Sequence, residues 1–140
     1  MKHTVDTSWK GNMLFDANVS GYHVMMDAVA AVGGEDKGSR PKELMLAALA
    51  GCTGMDVVSI LKKMRVEFTG LNIRVEADVT EDHPKHYDRM HVIYEFTGKD
   101  LQMDQLKKAV ELSQERYCGV SFVYKKAMDV SYEIHVKSAV

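Results

Sequence analysis

Two cysteines carry most of the reactive potential of this chain. Cys52 closes the apolar run Leu44-Met45-Leu46-Ala47-Ala48-Leu49-Ala50-Gly51-Cys52, and Cys118 lies sixty-six positions later in Tyr117-Cys118-Gly119-Val120-Ser121. No other pair in the sequence offers a nucleophile together with a resolving partner. Thiols used this way attack peroxide oxygen, close a disulfide or ligate a metal. Facing one another across a pocket, the two would form a thiol redox centre. Held apart, they would be two small apolar residues of an ordinary α+β domain, because free cysteine is among the most buried residue types.

Composition narrows the setting. With 140 residues, 46% hydrophobic and 27% charged, the chain suits a single domain over residues 1–140. A net charge of only −2 gives no bulk attraction for nucleic acid or an anionic membrane. The first residues lack the basic start, apolar stretch and small-residue cleavage site of a secretory signal, so a cytoplasmic location is expected. The nearly uncharged run Leu44–Thr53 is too short to span a bilayer. The ten methionines suit flexible core filling, or a deformable apolar pocket.

The elements that must position the cysteines follow from periodicity. Strands are expected at His3–Lys10, Met13–Ser20 and Tyr22–Met26, separated by the turns Lys10-Gly11-Asn12 and Ser20-Gly21. A glycine-rich polar loop, Gly33–Ser39, follows. A long helix then starts near Pro41, with Glu43 at its positive end and Lys62, Lys63 and Arg65 at its negative end. Leu71, Ile73, Val75, Ala77 and Val79 alternate with polar residues, as do Met90, Val92, Tyr94 and Phe96, giving two strands. A helix over about Asp104–Tyr117 places Leu106, Ala109, Val110, Ser113 and Tyr117 on one stripe. A short helix after Cys118 and a final strand with Val130, Tyr132, Ile134 and Val136 inward complete an α+β, mostly antiparallel order.

The first half of the long helix is apolar on every side, and one small sheet covers only one side of it. A homodimer in which both chains enclose each central helix solves that burial problem. Gly51 and Gly54 each cost this helix roughly 1 kcal/mol relative to alanine, which suggests a close neighbour beside Cys52.

Taken together, Pro41-Lys42-Glu43-Leu44 leading to Gly51-Cys52, the later Tyr117-Cys118-Gly119-Val120-Ser121 and the order of elements resemble the OsmC/Ohr family. Asp56-Val57-Val58-Ser59-Ile60-Leu61-Lys62-Lys63 is most similar to its YhfA-like branch. The resemblance implies an OsmC-like fold with a long buried central helix, an intertwined homodimer and active sites between subunits. It also implies thiol-dependent reduction of organic hydroperoxides in oxidative-stress defence. On that reading Cys52 is the peroxidatic cysteine and Cys118 the resolving one. Glu43 helps organise the site, and a small dithiol or dithiol protein is the reductant. Neither a cofactor nor a metal is expected.

Two departures qualify the activity. The family's peroxidases carry an arginine in the N-terminal strands or the following loop, whereas this chain has none before Arg40, which is the substitute available. Gly119 also stands where a proline usually follows the second cysteine. Cys52 lies mid-helix, where the helix dipole offers little, so peroxide chemistry there calls for a cationic side chain. Glu43 and Cys52 stand half a turn out of phase and ~13 Å apart along one helix, so Glu43 would serve that site from the other subunit. Asp56 lies four residues beyond Cys52 on nearly the same face, which suits a polar neighbour of the thiol or a surface hydrogen bond. His83, His86 and His91 flank an acidic loop without any established ligand spacing. The competing function is a scaffold with weak or no peroxidase activity, binding a small apolar ligand in a dimer pocket.

Overall fold

The computed structural model describes residues 1–138 and divides the chain into two compact units, Met1–Met45 and the part from Leu46 onward. Architecture is α+β, with two three-stranded sheets and three helices among the described residues.

The first unit is a meander of β1 (Asp6–Trp9), β2 (Phe15–Val19) and β3 (Tyr22–Met26), all antiparallel. The β2–β3 turn has positive φ at both Ser20 and Gly21, the geometry a two-residue hairpin loop needs to match strand twist. Its backbone is fixed by the Asn18 side chain, which accepts the Gly21 N–H at 2.9 Å. After β3 the glycine-rich loop folds back onto the strand and is held by one buried acid. The Asp27 carboxylate accepts backbone N–H groups from Lys37 (3.0 Å), Ala28 (2.7 Å) and Glu35 (3.3 Å). Gly34 is required there, since a Cβ would lie 1.9 Å from the Ala28 carbonyl oxygen.

The second unit is built on β4 (Gly70–Val79), β5 (Tyr87–Gly98) and β6 (Asp129–Ser138), with β5 central. Strands β4 and β5 pair antiparallel, but β5 and β6 run parallel, so the sheet is mixed. A parallel pair needs a crossover, supplied here by α2 (Met103–Leu112) and α3 (Gly119–Ala127). Register aligns the apolar residues in rows: Ile73, Tyr94 and Ile134 form one, and Val75, Val92 and Tyr132 the next. The alternation read from the sequence is therefore the alternation that builds the core, except at the strand ends, where Val79 and Val136 are exposed.

The long helix α1 (Glu43–Lys63) contributes Leu49, Thr53, Val57 and Leu61, each fully buried and spaced every four residues. The three aliphatic members share one buried cluster with Met90, Val92, Tyr94 and Phe96. By length and composition α1 could cross a membrane, more than its uncharged stretch alone suggests, yet this stripe packs as a core helix does. Elsewhere the helix is less enclosed: Ala47, Ala48, Gly51 and Met55 are exposed. Of its two glycines, Gly54 has a close neighbour, the Ile73 side chain, which a Cβ would meet at 3.0 Å. Nothing lies within 4 Å of the corresponding point at Gly51.

One expected face is corrected. Tyr117 does not continue the buried stripe of α2 but is 54% exposed, while Gln114 is buried. The cause is a π-helical turn at Ser113–Tyr117, closed by the Cys118 N–H donating to the Ser113 carbonyl at 2.8 Å. The extra residue in that turn shifts the phase of everything after Ser113.

The loop around Asp27 yields a stability prediction. The N–H donated by Lys37, joined by those of Ala28 and Glu35, pulls the Asp27 carboxyl below its ordinary 3.8. A folded value below the unfolded one stabilises fully above the ordinary range and is lost as pH falls through the folded value. Asp27→Ala should thus lower the urea midpoint at neutral pH, and its gap from wild type should narrow below pH 3.8. Gly34→Ala should cost roughly 1–3 kcal/mol at any pH. Urea titrations of the three proteins across that range measure both effects, and a gap for Asp27→Ala that stays constant into acid would contradict the assignment.

A candidate thiol site between the central helix and the end of the crossover

Cys52 is half-buried on α1, and Cys118 is buried where the π-turn gives way to α3. Both are free thiols. Their sulfurs and a carboxylate oxygen of Asp56 all lie within 4.8 Å of one another. Elements remote in sequence thus deliver both cysteines to one point, with an acid four residues along the helix from the first. Sulfur atoms in a disulfide are about 2.0 Å apart, so closure requires them to approach by less than ~3 Å.

Cys118 takes its place as the N-cap of α3. Its backbone is extended, at φ −75° and ψ 102°, and its sulfur accepts the Ser121 N–H at 3.3 Å. Burial pushes the thiol up to about 11, against the lowering effect of that N–H, and the neighbouring Cys52 and Asp56 push in the same direction as burial. Cys118 therefore rests as a protonated thiol.

A chain of buried hydroxyls and one amide holds the cluster. Thr53, next to Cys52, lies 2.6 Å from the Tyr94 phenol on β5 and 2.7 Å from the Ser113 hydroxyl in the π-turn. Ser113 donates to Asp56 at 2.9 Å, Gln114 donates to the Tyr94 oxygen at 2.7 Å, and Ser121 donates to the Gln114 carbonyl at 2.9 Å. An ionised carboxylate only accepts, so the end of the chain sets its polarity. Ser113 gives its proton to Asp56, Thr53 gives its own to Ser113, and Tyr94 to Thr53. Burial pushes the Tyr94 phenol up, which keeps that donor in place. Among the described residues no buried side-chain polar atom lacks a partner.

Beside this cluster a cleft of about 420 Å³ opens at Asp56. Ile60, Met64, Leu112 and Tyr117 give it apolar walls, and Lys63 and Lys108 add positive charge. The other two residues singled out from the sequence belong to the first unit. Glu43 opens α1 and is exposed, while the Arg40 guanidinium donates to the Gly38 carbonyl and pairs with Asp36.

Sequence reasoning identified both thiols and placed Asp56 as a neighbour of Cys52, but it favoured a surface or interface hydrogen bond for that acid. Its partner is instead the buried Ser113. Thr53, Tyr94, Gln114 and Ser121 were missed. Thr53 and Ser113 did leave a signal, as polar residues on otherwise apolar helix stripes. Gln114 left none, because it turns inward only through the π-turn.

Comparison with known proteins identifies the family of the chain. Residues 34–133 match the family described as OsmC-like protein. Protein YhfA of Escherichia coli is 30% identical over 130 residues, covering 93% of this chain and 94% of its own. The crystal structure of a hypothetical protein from Aquifex aeolicus superposes with a TM-score of 0.88 at 29% identity, covering 100% of this chain and 99% of that one. For the fold alone, the organic hydroperoxide resistance protein OhrB of Bacillus subtilis superposes at 0.67 with 20% identity, over 94% and 97% of the two chains. With 100 of its 140 residues matched by the family and a relative at this identity over nearly all of it, the chain belongs to the OsmC-like protein family.

Proposed function

We propose that this protein is a thiol peroxidase that reduces organic hydroperoxides with Cys52 and Cys118. One observation carries the reading: the two sulfurs, sixty-six residues apart in sequence, lie within 4.8 Å in the fold. The family adds weight, since solved relatives of the same fold include organic hydroperoxide resistance proteins.

In the proposed cycle Cys52 attacks the terminal peroxide oxygen as thiolate. The O–O bond breaks, the alcohol leaves after taking a proton, and Cys52 becomes a sulfenic acid. Cys118 then attacks that sulfur, releasing water and closing the disulfide. A dithiol reductant, a small molecule or a protein, returns two electrons and two protons. Cys52 is the better first nucleophile because Cys118 keeps its proton. The cleft at Asp56 suits an apolar hydroperoxide body against Ile60, Met64 and Leu112, with Lys63 and Lys108 as the nearby cations. In this proposal Glu43 serves the site from the other subunit, as its match to a family position implies, and Arg40 is the substitute available for the absent family arginine.

The working unit is a homodimer in the cytoplasm. Exposed Ala47, Ala48, Gly51 and Met55 on a helix this apolar support it, because a second chain would cover them. The fixed Asp56 carboxylate favours a second reading, a scaffold that binds an apolar ligand without efficient turnover, since negative charge beside the thiols opposes thiolate formation.

Two experiments test these claims. After one equivalent of organic hydroperoxide, mass spectrometry should find the loss of two hydrogens and a linked Cys52–Cys118 peptide. Cys52→Ser should abolish consumption, and Cys118→Ser should allow one turnover and leave a sulfenic acid that dimedone labels. Two free thiols after complete consumption would contradict the mechanism. Sedimentation at micromolar concentration should give a dimer, and Met55→Glu should shift it toward monomer. A stable wild-type monomer would remove the shared site.

A further inference from the structure

We infer that Cys52, Asp56 and Cys118 form a binding site for a thiophilic divalent cation such as Zn²⁺, whose occupancy blocks the thiols. The sequence leaves metal ligation open for the two thiols, but it does not single out Asp56 as a third ligand. The fold supplies what such a site requires. Two sulfurs and one carboxylate oxygen lie within 4.8 Å of one another. In a tetrahedral zinc site, with Zn–S near 2.3 Å and Zn–O near 2.0–2.2 Å, ligand atoms stand about 3.3–3.8 Å apart. The cluster needs to contract by only about 1 Å or slightly more.

The surroundings are arranged as metal sites arrange them. Ser113 donates to one oxygen of Asp56 and orients its carboxylate, while Thr53 and Tyr94 fix Ser113 in turn. The Ser121 N–H already points at the Cys118 sulfur, where it would stabilise a thiolate. Three protein ligands leave a fourth position for water, and the cleft that opens at Asp56 provides a path inward. A carboxylate held against two thiols is an awkward neighbour for peroxide chemistry. Toward a dication it becomes the third anionic ligand.

The chemistry balances without any further reagent. Zn²⁺ displaces one proton from each thiol and forms two Zn–S bonds with no change in oxidation state. Once the ion has left and a hydroperoxide oxidises the freed thiolates, two electrons pass from sulfur to oxygen and two protons are consumed. The products are the disulfide, the alcohol, water and free Zn²⁺. The disulfide cannot rebind the ion, so metal and peroxide compete for the same sulfurs. Binding does not depend on the peroxidase reading, and only its inhibitory consequence does.

The test is titration of the reduced protein with Zn²⁺ against a chromophoric chelator, with Cd²⁺ as the spectroscopic probe. One Zn²⁺ should bind per chain, and Cd²⁺ should give an ultraviolet sulfur-to-metal charge-transfer band scaled to two thiolates. Binding should vanish in Cys52→Ser and in the disulfide form. It should weaken at least tenfold in Asp56→Asn and also in Ser113→Ala, which keeps the ligand but loses its orienting bond. Asp56→Asn with wild-type affinity, or binding that survives in the disulfide form, would overturn the assignment. Failure of binding with peroxide oxidation intact sinks this inference alone. Loss of the peroxide reaction with zinc binding intact sinks the peroxidase reading instead.

Discussion

The Thr53 hydroxyl is the contact on which the rest of the site depends. It lies fully buried on α1, within hydrogen-bond distance of Tyr94 on the central strand and Ser113 in the π-turn. A hydroxyl in that position costs stability unless it is paired, and an unpaired one costs about 1–3 kcal/mol. Helix, strand and turn are therefore held in one relative placement by the requirement that all three hydroxyls be satisfied together. Cys52 is the residue just before it on α1, and Cys118 is the residue that ends the turn. Fixing Thr53 fixes both thiols.

That network also explains the electrostatic character of the site. Its donors run toward Asp56, whose carboxylate lies beside the sulfurs. Burial together with the neighbouring Cys52 and Asp56 keeps Cys118 protonated against the pull of the Ser121 N–H. The chain has no arginine before Arg40, and Arg40 pairs with Asp36. Here the charges around the cleft are Asp56, Lys63 and Lys108. The two lysines are the counterweight to Asp56 on the peroxide side of the account, and a dication is the counterweight on the other.

Much of the fold was legible because burial imposes simple periods. Alternation in Leu71–Val79 and Met90–Phe96 placed two strands correctly, and the turns at Gly11 and Gly21 marked the hairpins. The apolar run before Cys52 marked the central helix to within two residues at either end. Both cysteines stood out as residues whose types carry chemistry. What could not be read was whatever depended on a break in period or on distant partners. The π-turn at Ser113–Tyr117 reverses the expected fates of Gln114 and Tyr117, and helical periodicity carries no trace of it. The parallel pairing of β5 and β6 follows from which edge the last strand finds, which its own alternation does not specify. The sequence leaves Asp56 between a neighbour of the thiol and a surface or interface hydrogen bond, because its buried partner lies fifty-seven residues away.

The account turns on whether a sulfur at position 52 reacts with peroxide faster because of where it is held. Stopped-flow oxidation of the reduced protein by an organic hydroperoxide, alongside hydrogen peroxide and a free cysteine peptide, measures that directly. The account predicts that the protein outpaces the peptide by orders of magnitude and prefers the organic substrate. Oxidation no faster than the peptide's would contradict it and leave a ligand-binding scaffold as the better description.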